Sequence, residues 1–367
     1  MRGCHHAGMI PSGATYALIA FTLACAVSAF LLYFGRILAL RAGFADHPGG
    51  RKRHKHPVPP IGGLVIIPVF VLATTLFMPG AVPFALPAGL LLLMAMGAAD
   101  DAFHIRPVIR FSVQVLVAVC VVAFGGANIA SFGDLFGAGP VWTGVAGPIF
   151  AVCCLVLLMN AINMMDGMDG LSAGFCLLVA VFLAGLCAAS GRWADAAVLS
   201  VLSGGLVAFL GFNLRAPWRE RASVFLGDSG SLALGLLIGW YAITLSQPPG
   251  AVIEPASIPW ILTIPVMDVF ALFFIRMARG RHPFEADRNH LHHRVMARGF
   301  PPSKATPVIL FAGAVCIAAG YAGAESGVPQ WVLLALWAVM LCAHAVFGLK
   351  EARGSEQSGN PPQNVVG

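Results

Sequence analysis

Apolar residues run along this chain in long blocks separated by short polar clusters. Eleven blocks stand out, at residues 14–40, 61–79, 81–99, 108–126, 141–162, 171–190, 194–214, 229–246, 258–277, 306–323 and 330–349. A bilayer core of ~30 Å takes about 20 residues of helix to cross, and lipid offers no partner to a free backbone group. The pattern therefore predicts an all-α, polytopic integral membrane protein with about 11 transmembrane helices. The blocks use roughly 220 residues, which leaves no room for a separate soluble domain. Residues 1–350 read as one membrane domain whose polar work falls to loops 41–60, 100–107, 163–170, 215–228 and 278–305. The closing EARGSEQSGNPPQNVVG, 351–367, reads as a disordered tail. The first block is far longer than the ~7–15 apolar residues of a signal peptide and reads as a retained anchor.

Composition sharpens this picture. Of 367 residues, 58% are hydrophobic and only 10% charged, against ~25% charged in soluble domains, so a water-soluble enzyme is excluded. Of the 22 Lys and Arg residues, all but Arg2 and Arg192 lie in or beside the loops after blocks 1, 3, 5, 7 and 9 or in the C-terminal tail. Positive charge is retained on the cytoplasmic side. The N-terminus is accordingly expected outside and the C-terminus in the cytoplasm. The same bias accounts for the net charge of +6 without a nucleic-acid partner. All nine cysteines but Cys4 fall within blocks, with no CxxC pair, and read as small packing residues.

Against so apolar a background, ionisable residues at the block ends are candidates for function. Block 3 ends in Asp100-Asp101, two carboxylates at the negative end of a helix dipole. They call for a compensating cation, and Arg106 and Arg110 are the nearest. Block 5 runs into Asn160, Asn163, Asp166 and Asp169, a polar group every third residue, with Gly167 and Gly170 ending the helix. Steps of three keep neighbours in the series on one face, so these amides and carboxylates are expected at a membrane-edge cleft suited to ribose, a base edge or a metal. Block 8 opens with Phe225-Leu-Gly-Asp228-Ser-Gly-Ser231. This is either an ordinary helix cap or a site where exposed N–H groups receive phosphate and Asp228 holds a divalent cation.

The loop after block 9 carries His290, His292 and His293 among arginines that include Arg288. Its spacing fits no zinc motif, and phosphate recognition suits it better. The first loop, with Arg51-Lys-Arg-His-Lys-His56, is similarly basic and equally suited to lipid headgroups. Asp268 is the one carboxylate deep within a block, expected to hydrogen-bond a neighbouring helix, and His344 reads as a packing residue.

In this order, the motifs resemble the polyprenyl-phosphate N-acetylhexosamine-1-phosphate transferases, specifically the undecaprenyl-phosphate GlcNAc-1-phosphate transferase branch. The resemblance spans about 46–300 and rests on RKRHKHPVPPIGG, Asp100-Asp101, NAINMMDGMDGL, GFN at 211–213, FLGDSGSLALG, IPVMD ending at Asp268, and DRNHLHH. It implies transfer of a sugar-1-phosphate from a UDP-sugar to undecaprenyl phosphate, with release of UMP, in the bacterial inner membrane. It also implies Mg²⁺ as cofactor, with Mn²⁺ as a substitute, and an active site on the cytoplasmic face.

By the same resemblance Asp228 matches a metal-binding aspartate, with Asp101 near the metal. Asp100 and Asp101 match a catalytic pair. Phe225, Asn163, Asp166 and Asp169 match the nucleotide pocket, with Phe225 stacking on uracil and Asp169 contacting the base. Arg288, His290, His292 and His293 match contacts to sugar or pyrophosphate. Family members often carry a basic residue just after the acidic pair, whereas this chain has Ala102-Phe103-His104. GlcNAc is the expected sugar; a 6-deoxy-N-acetylhexosamine or MurNAc-pentapeptide donor, a homodimeric assembly and, in a different class, a secondary transporter remain open at this level.

Overall fold

The computed structural model describes residues 12–46, 57–215, 219–282 and 290–357, with side chains as far as Glu351. Within them the regular structure is helical, joined by loops that include the isolated β-bridges of Asp46 with Val58 and Ser131 with Trp142. The helices are α1 (Gly13–Arg41), α2 (Gly62–Phe77), α3 (Ala85–Phe103), α4 (Pro107–Phe124), α5 (Ala146–Met165), α6 (Leu171–Ala189), α7 (Trp193–Asn213), α8 (Gly227–Thr244), α9 (Ile258–Ile261), α10 (Thr263–Ala278), α11 (Leu291–Ala297), α12 (Pro302–Glu325) and α13 (Gln330–Gln357).

α8 is the axis of the fold, buried from Ser229 to Ile243 and enclosed by α2, α3, α5 and α6. α1 packs along α7, and α13 along α10. Outer helices turn large apolar side chains outward, among them Leu18 on α1 and Phe311 on α12, 65% and 72% exposed. On a water-soluble protein this would be an aggregating surface; in a bilayer it meets acyl chains. The molecule is a multi-pass membrane protein.

Among the described residues, eight helices are long and apolar enough to cross a membrane, and nine if the bent pair at 255–278 forms one span. The eleven predicted blocks each coincide with helix, but two fall short of that measure. α2 has 16 residues, and α8 opens with Gly-Asp-Ser-Gly-Ser. Enclosed by other helices, α8 has no need of lipid-matching hydrophobicity.

Two further expectations need correction. The block at 258–277 is not one straight helix: Pro255–Ile261 and Thr263–Ala278 meet at 78°. At the break the Thr263 hydroxyl donates to the carbonyls of Pro259 and Trp260 at 2.9 and 2.8 Å, and Pro265, in the first turn of α10, has no N–H to offer the Ile261 carbonyl behind it. The tail assigned to 351–367 is helical as far as Gln357, because Glu351 is tied to the protein by two arginines. Residues 358–367 lie outside the described residues.

Candidate active site

Helices α3, α4, α5 and α8 bring their polar ends together. The approach of α3 to α8 depends on Gly97, where a Cβ would lie 2.3 Å from the Ser229 backbone nitrogen. α2 approaches the same turn through Gly63, where a Cβ would lie 2.1 Å from the nitrogen of Gly230. No side chain fits at either point, so the carboxylates of α3 and α8 are held in register by backbone packing.

Asp100 and Asp101 serve differently. The Asp100 carboxylate is 9% exposed. Its Oδ1 accepts from the Ile105 N–H at 2.6 Å, and its Oδ2 lies 2.6 Å from the Arg110 guanidinium. His104 makes this possible by closing α3 in the left-handed region, φ 55°, and turning the chain into α4. Asp101 faces α8. Its Oδ1 accepts a long 3.4 Å bond from the Asp228 N–H, and its Oδ2 is buried with no hydrogen-bond partner among the described residues.

Arg110 also reaches Asp228, 3.1 Å from its Oδ2, and so bridges α3 and α8. It is the cation that the acidic pair required. The other oxygen of Asp228 accepts from Asn163 at 2.6 Å, and the same amide donates to Ser231 at 2.9 Å. Among the described residues no three His, Cys, Asp or Glu side chains form a ready-made metal cage.

The polar series after α5 divides. Asn160 turns to α4, donating to Gln114 at 2.6 Å, and does not join the other three as its spacing suggested. Asn163 meets Asp228. Asp166 lies in the turn beyond the helix, where burial, and then the charges of Asp228, Asp101 and Asp169, push its carboxyl well above the usual range. Asp169 is engaged by Arg215 at 2.7 Å, a partner that spacing did not point to. Its turn is pinned by Asn213, which accepts from the Gly170 N–H at 2.6 Å and donates to the Val224 carbonyl at 2.9 Å. Phe225 follows directly and is partly exposed, its backbone paired with Pro59 at 3.0 Å and with Gly62 at 2.9 Å.

The histidines approach the same turn. His292 is buried beside Gly167, whose added Cβ would lie 3.1 Å from His292 Nε2. Burial, together with His293 and His290, lowers its pKa to about 3, so the ring is neutral. His290 stacks on it at 5.6 Å and 18°, and His293 lies 4.2 Å from it between ring centroids. Arg288, Asp287 and Glu285 lie outside the described residues, as does the basic run Arg51–His56. Glu351, not singled out in the sequence, holds the histidine segment, and Arg110, one of the two cations expected near the acidic pair, holds the acidic centre. Glu351 contacts Arg294 at 2.8 Å and Arg298 at 2.5 Å, and Arg110 is the bridge described above.

Acid, amide, guanidinium and imidazole groups gathered at one end of a buried helix, in a protein surrounded by lipid-facing apolar surface, define a membrane-embedded enzyme acting on charged substrates. The comparisons with known proteins make that class specific. Residues 83–246 match the model of glycosyl transferase family 4. The undecaprenyl-phosphate alpha-N-acetylglucosaminyl 1-phosphate transferase of Escherichia coli O157:H7 is 31% identical over 324 residues, 86% of each chain. The protein of the same name from Yersinia pestis is 32% identical over 321 residues, again 86% of each. That from Pasteurella multocida is 30% identical over 319 residues, 84% of this chain and 87% of the relative. The chain belongs to glycosyl transferase family 4, and is a transmembrane transferase of its phospho-N-acetylhexosamine group.

Proposed function

We propose that this enzyme transfers N-acetylglucosamine 1-phosphate from UDP-N-acetylglucosamine to undecaprenyl phosphate, the first step in building a bacterial cell-envelope glycan. The observation that carries the reading is the meeting of Asp101, Asp228, Asn163 and Arg110 at the head of α8 in a chain with relatives so named. A phosphate oxygen of the lipid attacks the sugar-bearing phosphorus of the donor. A new P–O bond forms there as the bond to UMP breaks, and lipid pyrophosphoryl-GlcNAc and UMP result.

Two anions must be brought together for this, so charge neutralisation is the main catalytic demand. The residues suit Mg²⁺, with Mn²⁺ as a substitute. Asp228 and Asp101 offer hard carboxylate oxygens, and Asp101 Oδ2 is a buried acceptor without a partner among the described residues. The absence of a full protein cage among the described residues agrees with Mg²⁺, which is commonly held by one or two carboxylates plus substrate phosphates. Bound there, the cation supplies Lewis-acid neutralisation of the phosphates. Asp100, committed to Arg110 and Ile105, is the member of the pair that orients the guanidinium, and Asp101 the member that faces the reaction.

Asn163, Asp166, Asp169 and Phe225 line the nucleotide side, Phe225 against uracil, and His290, His292, His293 and Arg288 address sugar and pyrophosphate. Eleven spans, with the N-terminus outside and the site on the cytoplasmic face, match the distribution of Lys and Arg and give access to a soluble nucleotide donor. The test incubates the purified protein with undecaprenyl phosphate and a panel of UDP-sugars, following UMP with and without Mg²⁺. UMP release that requires the lipid, Mg²⁺ and UDP-N-acetylglucosamine is expected. Release confined to a different donor, or none at all, overturns the assignment.

A further inference from the structure

Asp268 sits on α10, the one carboxylate expected within a membrane block, and is 4% exposed. It bonds a neighbouring helix as expected, and that helix is the short α11. Both of its oxygens serve the histidine segment: Oδ2 lies 3.0 Å from His290 Nδ1, and Oδ1 accepts from the Leu291 N–H at 2.7 Å. A buried carboxylate is a demanding group to place in an apolar helix, and among the described residues its two oxygens are directed at one ring and the backbone beside it. From His290 the contact continues by stacking to His292, and from His292 to Gly167 in the turn that carries Asp166 and Asp169.

We propose that Asp268 is the positioning residue of the histidine segment. By taking the Nδ1 side of His290 it fixes the ring's orientation and leaves Nε2 as the nitrogen offered to the donor's pyrophosphate. With Nδ1 held by the carboxylate, Nε2 is the ring nitrogen left to hydrogen-bond a phosphate oxygen. This rests on the reading of the histidines as phosphate contacts given above.

Asp268→Asn separates positioning from mere packing, because it keeps an oxygen for the Leu291 N–H and removes the charge facing His290. Binding of UDP-N-acetylglucosamine is measured by calorimetry on the purified full-length protein, alongside turnover and thermal unfolding. Asp268→Asn is expected to weaken donor binding and raise KM by roughly 10- to 100-fold, the range by which losing the carboxylate behind a metal-ligating histidine lowers affinity or activity. kcat and the unfolding temperature should change little. In a His290→Ala background the same change should add less than about 2-fold, since both substitutions break one linkage. An equal loss in both backgrounds, wild-type binding by Asp268→Asn, or a loss that only tracks the fraction of unfolded protein would overturn the positioning role. A wild-type protein that binds the donor but releases no UMP would instead overturn the proposed reaction, leaving the binding comparison to decide the role of Asp268.

Discussion

Gly97→Ala tests whether the catalytic distance is set by backbone packing. Gly97 lies one turn before Asp101 on the same face of α3. An added Cβ would stand 2.3 Å from Ser229 N and 2.5 Å from the carbonyl carbon of Asp228, whereas ordinary contact begins at 3.4 Å. The atoms it meets are backbone and cannot rotate away, so α3 and α8 must part by about 1 Å. Displacing reacting groups by 1 Å costs about 100-fold in rate, equivalent to about 2.7 kcal/mol of transition-state stabilisation. The overpacking itself destabilises the fold by about 1–3 kcal/mol. The assay is initial-rate UMP release, normalised to folded protein by thermal unfolding in detergent. Gly185→Ala on α6 is the control, because a Cβ there meets nothing within 4 Å. If Gly97→Ala turns over within about 3-fold of wild type while the control behaves normally, the argument from helix spacing fails.

Asp228→Asn should reduce UMP release to background at any Mg²⁺ concentration without preventing folding; recovery of the rate at high Mg²⁺ would count against its role toward the metal. Arg110→Lys should keep part of the activity that Arg110→Ala loses, because a lysine restores charge without the fork that spans Asp100 and Asp228. Equal rates for the two variants would contradict the bridge. Asn213→Ala strands the Gly170 N–H and the Val224 carbonyl and should lower stability by about 1–3 kcal/mol, read as a drop in unfolding temperature. Asp166→Asn should stabilise the metal-free protein near pH 7. Its folded-state pKa is raised, so the folded state is favoured while the group is protonated and loses that advantage as pH rises through the folded value. The gain over wild type should vanish at pH below the ordinary carboxylate range, and a destabilised variant at pH 7 would reverse the sign of the argument.

Much of this was legible in the linear sequence because the apolar background leaves so few ionisable residues to consider. Asp100, Asp101 and Asp228 stood out as charges at block ends, and packing of Gly63 and Gly97 brings those ends together. Asn160 was misread because a three-residue period describes one helix and says nothing of which neighbour lies beside it; Gln114 on α4 claims that amide. Arg110 was visible only as a nearby cation. The three-residue link between α3 and α4 folds the first turn of α4 back onto the last turn of α3, and that geometry selects it over Arg106. Arg215 and Glu351 carried no local signal at all, since their partners lie 46 and 57 residues away.

The attachment of Glu351 to Arg294 and Arg298 has a consequence for biosynthesis. Ribosomes deliver this chain into the membrane in order, and the acidic centre can assemble once α8 has been inserted. The histidine segment emerges later still, and its two arginines meet their carboxylate only after α13 has been translated. A nascent or prematurely terminated chain can thus hold the carboxylates in place while its histidine segment lacks its last tether. Full assembly of the site is in this way tied to the last membrane helix having been made.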